Sequence, residues 1–344
     1  MPNSDLLAET SSIFLPAFAS SHLPASVADF LQAGGMAVLL GETRAEYEAR
    51  AMSPVRRATE SSASLRALIN EIRSCAQHPV LVAVDHELGG IQRCEGLVAP
   101  LPTAAEAREM RTEMLRQRCF EVGTQLRNLG VDLVLGPVLD TGSDSSWLRG
   151  RQLAGSVEDR ERVAAAFVSG FENAGIATVP KHFPGHRGLL SDPMIEADAL
   201  VPISRADLYN DVRPFRAAID AGARCMMMGP GRIPILDELE SAVCSPAAGN
   251  FLRTDCQFHG VVISDDIDAP AVTQGRELHT VTRQALTAGN DLLLVSAEAD
   301  VLGLAARLAE ATIAGDLPRH RLADAHRRVS ALAHAQEQAQ RMLR

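Results

Sequence analysis

The sequence predicts an α/β fold, a (β/α)8 barrel of the TIM type, in one domain that takes in residues 1–344. Three observations point there. Short apolar runs recur along the chain. Each run is continuous rather than alternating, as in parallel strands covered on both faces. Stretches rich in Ala, Leu, Glu and Arg, long enough for crossover helices, lie between them. In order, residues 13–18 supply the first strand, 36–40 the second, 80–84 the third and 131–135 the fourth, followed by 176–179, 225–228, 261–263 and 292–295. Such a series suits a closed barrel better than an open doubly wound sheet. Residues 104–129 read as one crossover helix, with Asn128 and Gly130 at its C-terminal stop. Residues 158–173 read as the next, ending before Gly175. The last stretch, about 318–344, opens on Pro318, where a first helical turn tolerates proline. It is expected to form a C-terminal helix packed on the barrel wall. No Ser-, Gly- or Pro-rich linker divides the chain.

Composition narrows the function. With 46% hydrophobic and 22% charged residues the chain can bury a large core, which argues against general disorder. A formal charge of -10 is the wrong sign for a protein that gains affinity by neutralising phosphates, so no nucleic-acid partner is expected. No apolar run reaches the ~18 residues of a membrane span. The opening residues include Asp5 and Glu9 where a signal peptide carries basic ones, so the expectation is a soluble, cytoplasmic protein. The six cysteines form no CxxC pair and read as small core residues. Aromatics make up 4% of the chain and Trp147 is the only tryptophan, too little for a polysaccharide groove, so a small polar ligand fits better. Monomer and homodimer both remain open.

Barrel enzymes work at the C-terminal ends of their strands, and here those ends are charged. After the third run come Asp85, His86 and Glu87; after the fourth, Asp140; after the fifth, Lys181-His182-Phe183-Pro184-Gly185-His186; after the seventh, Ser264-Asp265-Asp266. A carboxylate such as Asp265 at a strand end serves as nucleophile, metal ligand or helix cap. Its neighbour Asp266 reads better as a cap or an orienting group. Two imidazoles and an ammonium within six residues suit sugar hydroxyls or anion oxygens. Metal ligation would need further ligands that the sequence does not designate, and no metal or organic cofactor is expected. The paired glycines lack GxGxxG spacing, which leaves a nucleotide reading weak.

These segments together resemble glycoside hydrolase family 3, in particular its single-domain bacterial β-N-acetylglucosaminidases and β-N-acetylhexosaminidases. The match is carried by Val84-Asp85-His86-Glu87 with Gln92-Arg93, by Gly136-Pro137-Val138-Leu139-Asp140, by the Lys181-to-His186 segment and by Val262-Ile263-Ser264-Asp265-Asp266, in the same order across nearly the whole chain. The resemblance implies retaining hydrolysis, or transfer, of a terminal β-linked N-acetylhexosamine or related sugar, with a small glycoside or amino sugar as partner. By position Asp265 resembles the nucleophile that forms the glycosyl-enzyme intermediate. Asp85, Arg151, Lys181 and His182 resemble the residues that hold the sugar.

Other positions depart from the family pattern. Relatives continue with DTxxDSH, whose Asp and His form the acid/base dyad; here Asp192 keeps the aspartate, Pro193 replaces the serine and Met194 replaces the histidine. A thioether neither gives nor takes a proton in this role. The EGGR turn becomes Glu87-Leu88-Gly89-Gly90, a family histidine falls at Pro230, and the methionine of SDDLSM becomes Ala269. Three readings follow. His186 or Asp192 serves as a recruited acid; the enzyme is a tailoring glycosidase whose aglycone leaves without protonation; or the protein binds sugar without turnover.

Overall fold

Each apolar run becomes a parallel strand because neither of its faces meets water. In the computed structural model, which describes residues 4–142, 147–153 and 155–341, the strands are β1 (Phe14–Phe18), β2 (Ala37–Leu40), β3 (Leu81–Asp85), β4 (Leu133–Val138), β5 (Ala177–Lys181), β6 (Cys225–Met228), β7 (Val261–Ser264) and β8 (Leu293–Ser296). Six pair in the order β5-β4-β3-β2-β1-β8, and β6 pairs with β7. Phe183 N–H donates to Met227 O (2.8 Å) and Ser264 N–H to Leu292 O (2.9 Å), which joins the two sheets at both seams into a closed (β/α)8 ring. Side chains alternate across the wall: Leu133 and Leu135 of β4 point into the ring with Leu15, Ala83, Met227 and Ile263, whereas Val134 and Val262 pack outward under the helices. Between β4 and β5 the register slips at Leu135 and Gly136, both opposite Val179, and this irregularity re-aims the end of β4 toward the site.

Two helix expectations need correction. Residues 104–129 are two helices, Ala104–Glu109 and Thr112–Leu129, because Met110 and Arg111 are extended. Arg162 spans the break by donating to the carbonyls of Arg108 and Met110, so the interrupted ladder is satisfied from outside. The first helix carries its own start signal, a capping box of Thr103 and Glu106. The C-terminal helix, Arg319–Arg341, does more than lie on the wall: its Val329, Leu332 and Ala333 join the core inside the ring and close the N-terminal end. Residues 342–344 of the expected helix lie outside the described ones.

Buried ion pairs fasten that plug. Asp291, ahead of β8, accepts from Arg253 (2.6 Å), Arg321 (2.7 Å), Arg328 (3.1 Å) and the amide of Val262 (3.0 Å). Asp132, ahead of β4, accepts from Arg73 and Arg127 (both 2.9 Å). Among the described residues no helix is long and apolar enough to cross a membrane. All six cysteines are free and five of them are buried.

Candidate active site

At the opposite end the strands open into a cavity of about 1090 Å3, floored by Leu39, Leu135, Met227 and Leu294. Charged residues surround that apolar floor. Lys181, at the end of β5, donates to Asp85 at the end of β3 and to Glu87 (2.6 Å). Arg151 grips Glu87 with two parallel bonds of 2.9 and 2.6 Å, a bidentate match of guanidinium to carboxylate. Burial pushes the Glu87 carboxyl up, but the charges of Arg151 and Lys181 outweigh it and hold the group well below the usual carboxylate range. Burial opposes the charge of Lys181 as well, and Asp85 and Glu87 keep its ammonium protonated above the ordinary lysine range. The turn after β3 leaves no room for a side chain at Gly90: a Cβ there would stand 2.0 Å from Glu87 Oε2 and 3.2 Å from Arg151 Cγ.

A second network hangs on Asp140, past the end of β4. Its carboxylate accepts from His182 Nδ1 (2.7 Å) and the His182 amide (3.1 Å) on one oxygen, and from His186 Nδ1 (2.9 Å) on the other. Burial alone would raise the Asp140 carboxyl; the two imidazoles keep it far below its ordinary range. His182 is thereby oriented, with Nε2 3.8 Å from Asp265 Oδ2. Asp265 follows β7, and its other oxygen accepts from the Asp266 amide (2.8 Å). The cavity therefore brings together Asp85, Arg151, Lys181, His182 and Asp265.

His186 and Asp192 lie differently. The His186 ring is fully buried, its Nδ1 on Asp140 and its Nε2 accepting from the Gly231 amide (3.1 Å), so both nitrogens are engaged away from the cavity. One Asp192 oxygen accepts from the Met194 amide (3.0 Å) and the other is buried without a partner. Neither residue lines the cavity; Pro193, Met194 and Pro230 do. Nor does Asp266 cap a helix. The next helix starts after Ala269, and Asp266 lines the cavity beside Asp265. Burial and the charges of Asp265, Asp268, Asp85 and Glu42 raise its carboxyl well above the usual range.

Three cavity residues escape a reading of the sequence. Trp147 packs 5.3 Å from the His182 ring and 5.8 Å from His186. Tyr47 takes the guanidinium of Arg50 over its ring at 4.2 Å, and burial raises its phenol. Glu42 follows β2, with Oε2 buried and unpartnered, and burial and the charge of Asp85 push its carboxyl up to about 8. Its position just past a strand run was the available signal.

The comparisons agree with this architecture. The model of the glycosyl hydrolase family 3 N-terminal domain matches residues 31–332. A β-hexosaminidase of Hydrogenovibrio crunogenus is 32% identical over 244 residues, covering 69% of this chain and 68% of the relative. One from Thioalkalivibrio sulfidiphilus is 33% identical over 247 residues, covering 69% and 70%. Among solved structures, a β-N-acetylhexosaminidase from Beutenbergia cavernae has a TM-score of 0.85 at 24% identity, over 96% of this chain and 100% of that one. A family 3 β-N-acetylglucosaminidase from Paenibacillus sp. FPU-7 has a TM-score of 0.86 at 24% identity, and this chain spans 62% of its length. At such identity the structural likeness speaks for the fold, while the matched family model and the curated relatives speak for descent: the chain belongs to glycosyl hydrolase family 3.

Proposed function

We propose that the chain is a retaining glycosidase or transglycosidase acting on a terminal β-linked sugar of the N-acetylhexosamine or related amino-sugar type, with Asp265 as nucleophile. The observation that carries this reading is the placement of Asp265: one oxygen tethered to the Asp266 amide, the other facing His182, at the floor of a cavity that also holds Asp85, Lys181 and Arg151. Tethering one oxygen fixes the direction of the other, the pre-organisation that a nucleophile needs. Asp85, Lys181, Arg151 and His182 offer acceptors and donors to the sugar hydroxyls. In the first step a bond forms from Asp265 Oδ2 to the anomeric carbon and the bond to the aglycone oxygen breaks, its electron pair leaving with that oxygen. Water then attacks the anomeric carbon, regenerates the Asp265 carboxylate and gives up a proton to solvent.

Pro193, Met194 and Pro230 give the wall after β5 and β6 no proton donor, and the buried His186 holds Asp140 rather than facing a substrate. His186 is therefore a positioning residue in this proposal. Burial raises the carboxyls of Glu42 and Asp266, but both stand among the sugar-holding carboxylates. The favoured substrates are glycosides whose aglycone leaves as a stabilised anion. Positioned acid assistance is worth about 10²- to 10⁴-fold with poor leaving groups and much less with good ones.

The test compares nitrophenyl N-acetyl-β-glucosaminide and the matching β-glucoside with a saccharide-linked substrate. Aryl glycosides should be cleaved at least about 100-fold faster, and Asp265→Ala should abolish the release. Met194→His should help the saccharide substrate selectively. Aryl cleavage undiminished in Asp265→Ala overturns the nucleophile. Tight sugar binding with no covalent species trapped by a fluorinated sugar would instead favour a non-catalytic binder.

A further inference from the structure

Beside Asp85 stands a carboxyl that the chemistry at Asp265 does not use. Glu42 sits in the turn after β2, and that turn is held from both sides. The Gly41 amide donates to Phe18 O (2.9 Å), and Gly41 O accepts from Arg93 Nε (2.9 Å). Arg93 is itself buried and clamped to Glu60 by bonds of 2.6 and 2.9 Å. Thr43 then starts the next helix with a capping box to Glu46. The side chain of Glu42 is thus carried on a rigid turn into the cavity, where its Oε2 is buried and accepts no hydrogen bond.

An unpaired buried carboxylate is unfavourable, and a carboxyl so placed keeps its proton unless a cation comes near. Burial and the charges of Asp85 and Glu87 raise Glu42, while Lys181 and Arg151 pull the other way. Asp266, across the same floor, is raised by burial and by Asp265, Asp268, Asp85 and Glu42. The cations that line the cavity are already engaged, Lys181 by Asp85 and Glu87, Arg151 by Glu87 and Arg44 by Glu48. Negative groups therefore outnumber positive ones where the sugar would lie.

The spacing argues for one kind of cation. Among the described residues, the only trio of His, Cys, Asp or Glu whose ligand atoms lie within 4.8 Å of one another is Asp140, His182 and His186, and these are already joined by hydrogen bonds. Glu42, Asp85 and Asp266 do not converge on one point as ligands of a metal ion must. They suit an ammonium carried on a sugar ring, which has three N–H donors and a charge to share among separated acceptors.

We propose that the end of the cavity formed by Glu42, Asp85 and Asp266 recognises a free primary amine, so that the preferred sugar is a cationic amino sugar rather than its N-acetylated or neutral counterpart. This rests on the cavity being the sugar site and narrows the class of sugar. An acetamide brings one N–H and no charge, and cannot ionise these carboxyls; an ammonium does, and the protons they hold leave as it enters.

Calorimetric titration of the full chain at pH 6.5 tests this, with D-glucosamine, 3-amino-3-deoxy-D-glucose and 6-amino-6-deoxy-D-glucose, each against D-glucose and N-acetyl-D-glucosamine. At least one amine should bind about tenfold or more tightly than both neutral sugars. Its heat should differ between buffers of different ionisation enthalpy, because protons are released. Glu42→Gln should erase most of that preference without lowering the thermal midpoint, and Asp266→Asn provides the second variant. The proposal is overturned if no amine outbinds D-glucose, if N-acetyl-D-glucosamine binds tightest, or if the preference survives in both variants. Because the readout is binding, loss of the Asp265 chemistry leaves it standing, and turnover of N-acetylated substrates without any amine preference overturns it alone.

Discussion

His186 owes its place to two glycines. A Cβ at Gly229 would stand 2.2 Å from its Cε1, and one at Gly231 2.5 Å from its Cδ2. The ring fills that slot, takes the Gly231 amide on one nitrogen and steadies Asp140 with the other, and Asp140 in turn aims His182 at Asp265. Gly229→Ala should therefore act at a distance. Overpacking of this kind costs about 1–3 kcal/mol, and displacement of the ring should lower kcat on an aryl glycoside more than it raises KM. A melting curve and a kinetic profile both matching the parent would reject the wedge. The sequence marked Lys181 to His186 as a candidate site segment but not which imidazole faces the cavity, because that choice depends on Gly229 and Gly231, more than 40 residues on. Glu42 was illegible for a similar reason. Before a helix it reads as an ordinary polar turn residue, and the charges that act on it, first that of Asp85, come from other elements.

At the scale of elements, the eight strands were legible because burial on both faces leaves an unbroken apolar run. The break at Met110 was not, since no Gly or Pro stands near it, and the carbonyls it frees are satisfied by Arg162 from a helix beyond β4. The C-terminal helix was legible as a helix but not as a plug, because its apolar positions are the same for either surface. Its hold depends on Asp291, on which Arg253, Arg321 and Arg328 converge. Removing one partner from a buried ion network costs about 3–5 kcal/mol, because the charges left behind are desolvated and unpaired. Asp291→Ala should lower the unfolding free energy read from urea denaturation by that much. Arg341→Ala, which cuts only an exposed pair with Glu337, should stay within about 0.5 kcal/mol of the parent. Equal shifts in the two variants would remove Asp291 from its anchoring role.

Over the whole molecule, the site leaves its mark on the dependence of stability on pH. His86 is completely buried with neither ring nitrogen partnered, and burial pushes its pKa down to about 4. The unfolded chain then binds the extra proton between the ordinary histidine value and 4, so this group's contribution is lost as pH falls through that window. Glu42 acts with the opposite sign. Raised to about 8, it keeps its proton in the folded chain when the unfolded chain has released it, so stability falls as pH rises from the usual carboxylate range toward 8. The two slopes oppose one another in the acid region, but above pH ~6.5 the histidine no longer contributes and the Glu42 slope stands alone, with Asp266 adding in the same direction. One proton held across about 1.5 pH units corresponds to at most about 2 kcal/mol. Stability of the unliganded chain should therefore decline between pH 6.5 and 8, as read from urea midpoints. Glu42→Gln should flatten that decline and steepen the acid limb, from which its opposing slope is removed, and His86→Leu should soften the acid limb without altering the decline. A parent chain whose stability is level from pH 6.5 to 8, or a Glu42→Gln chain that declines as steeply, would show that Glu42 carries no proton in the folded state.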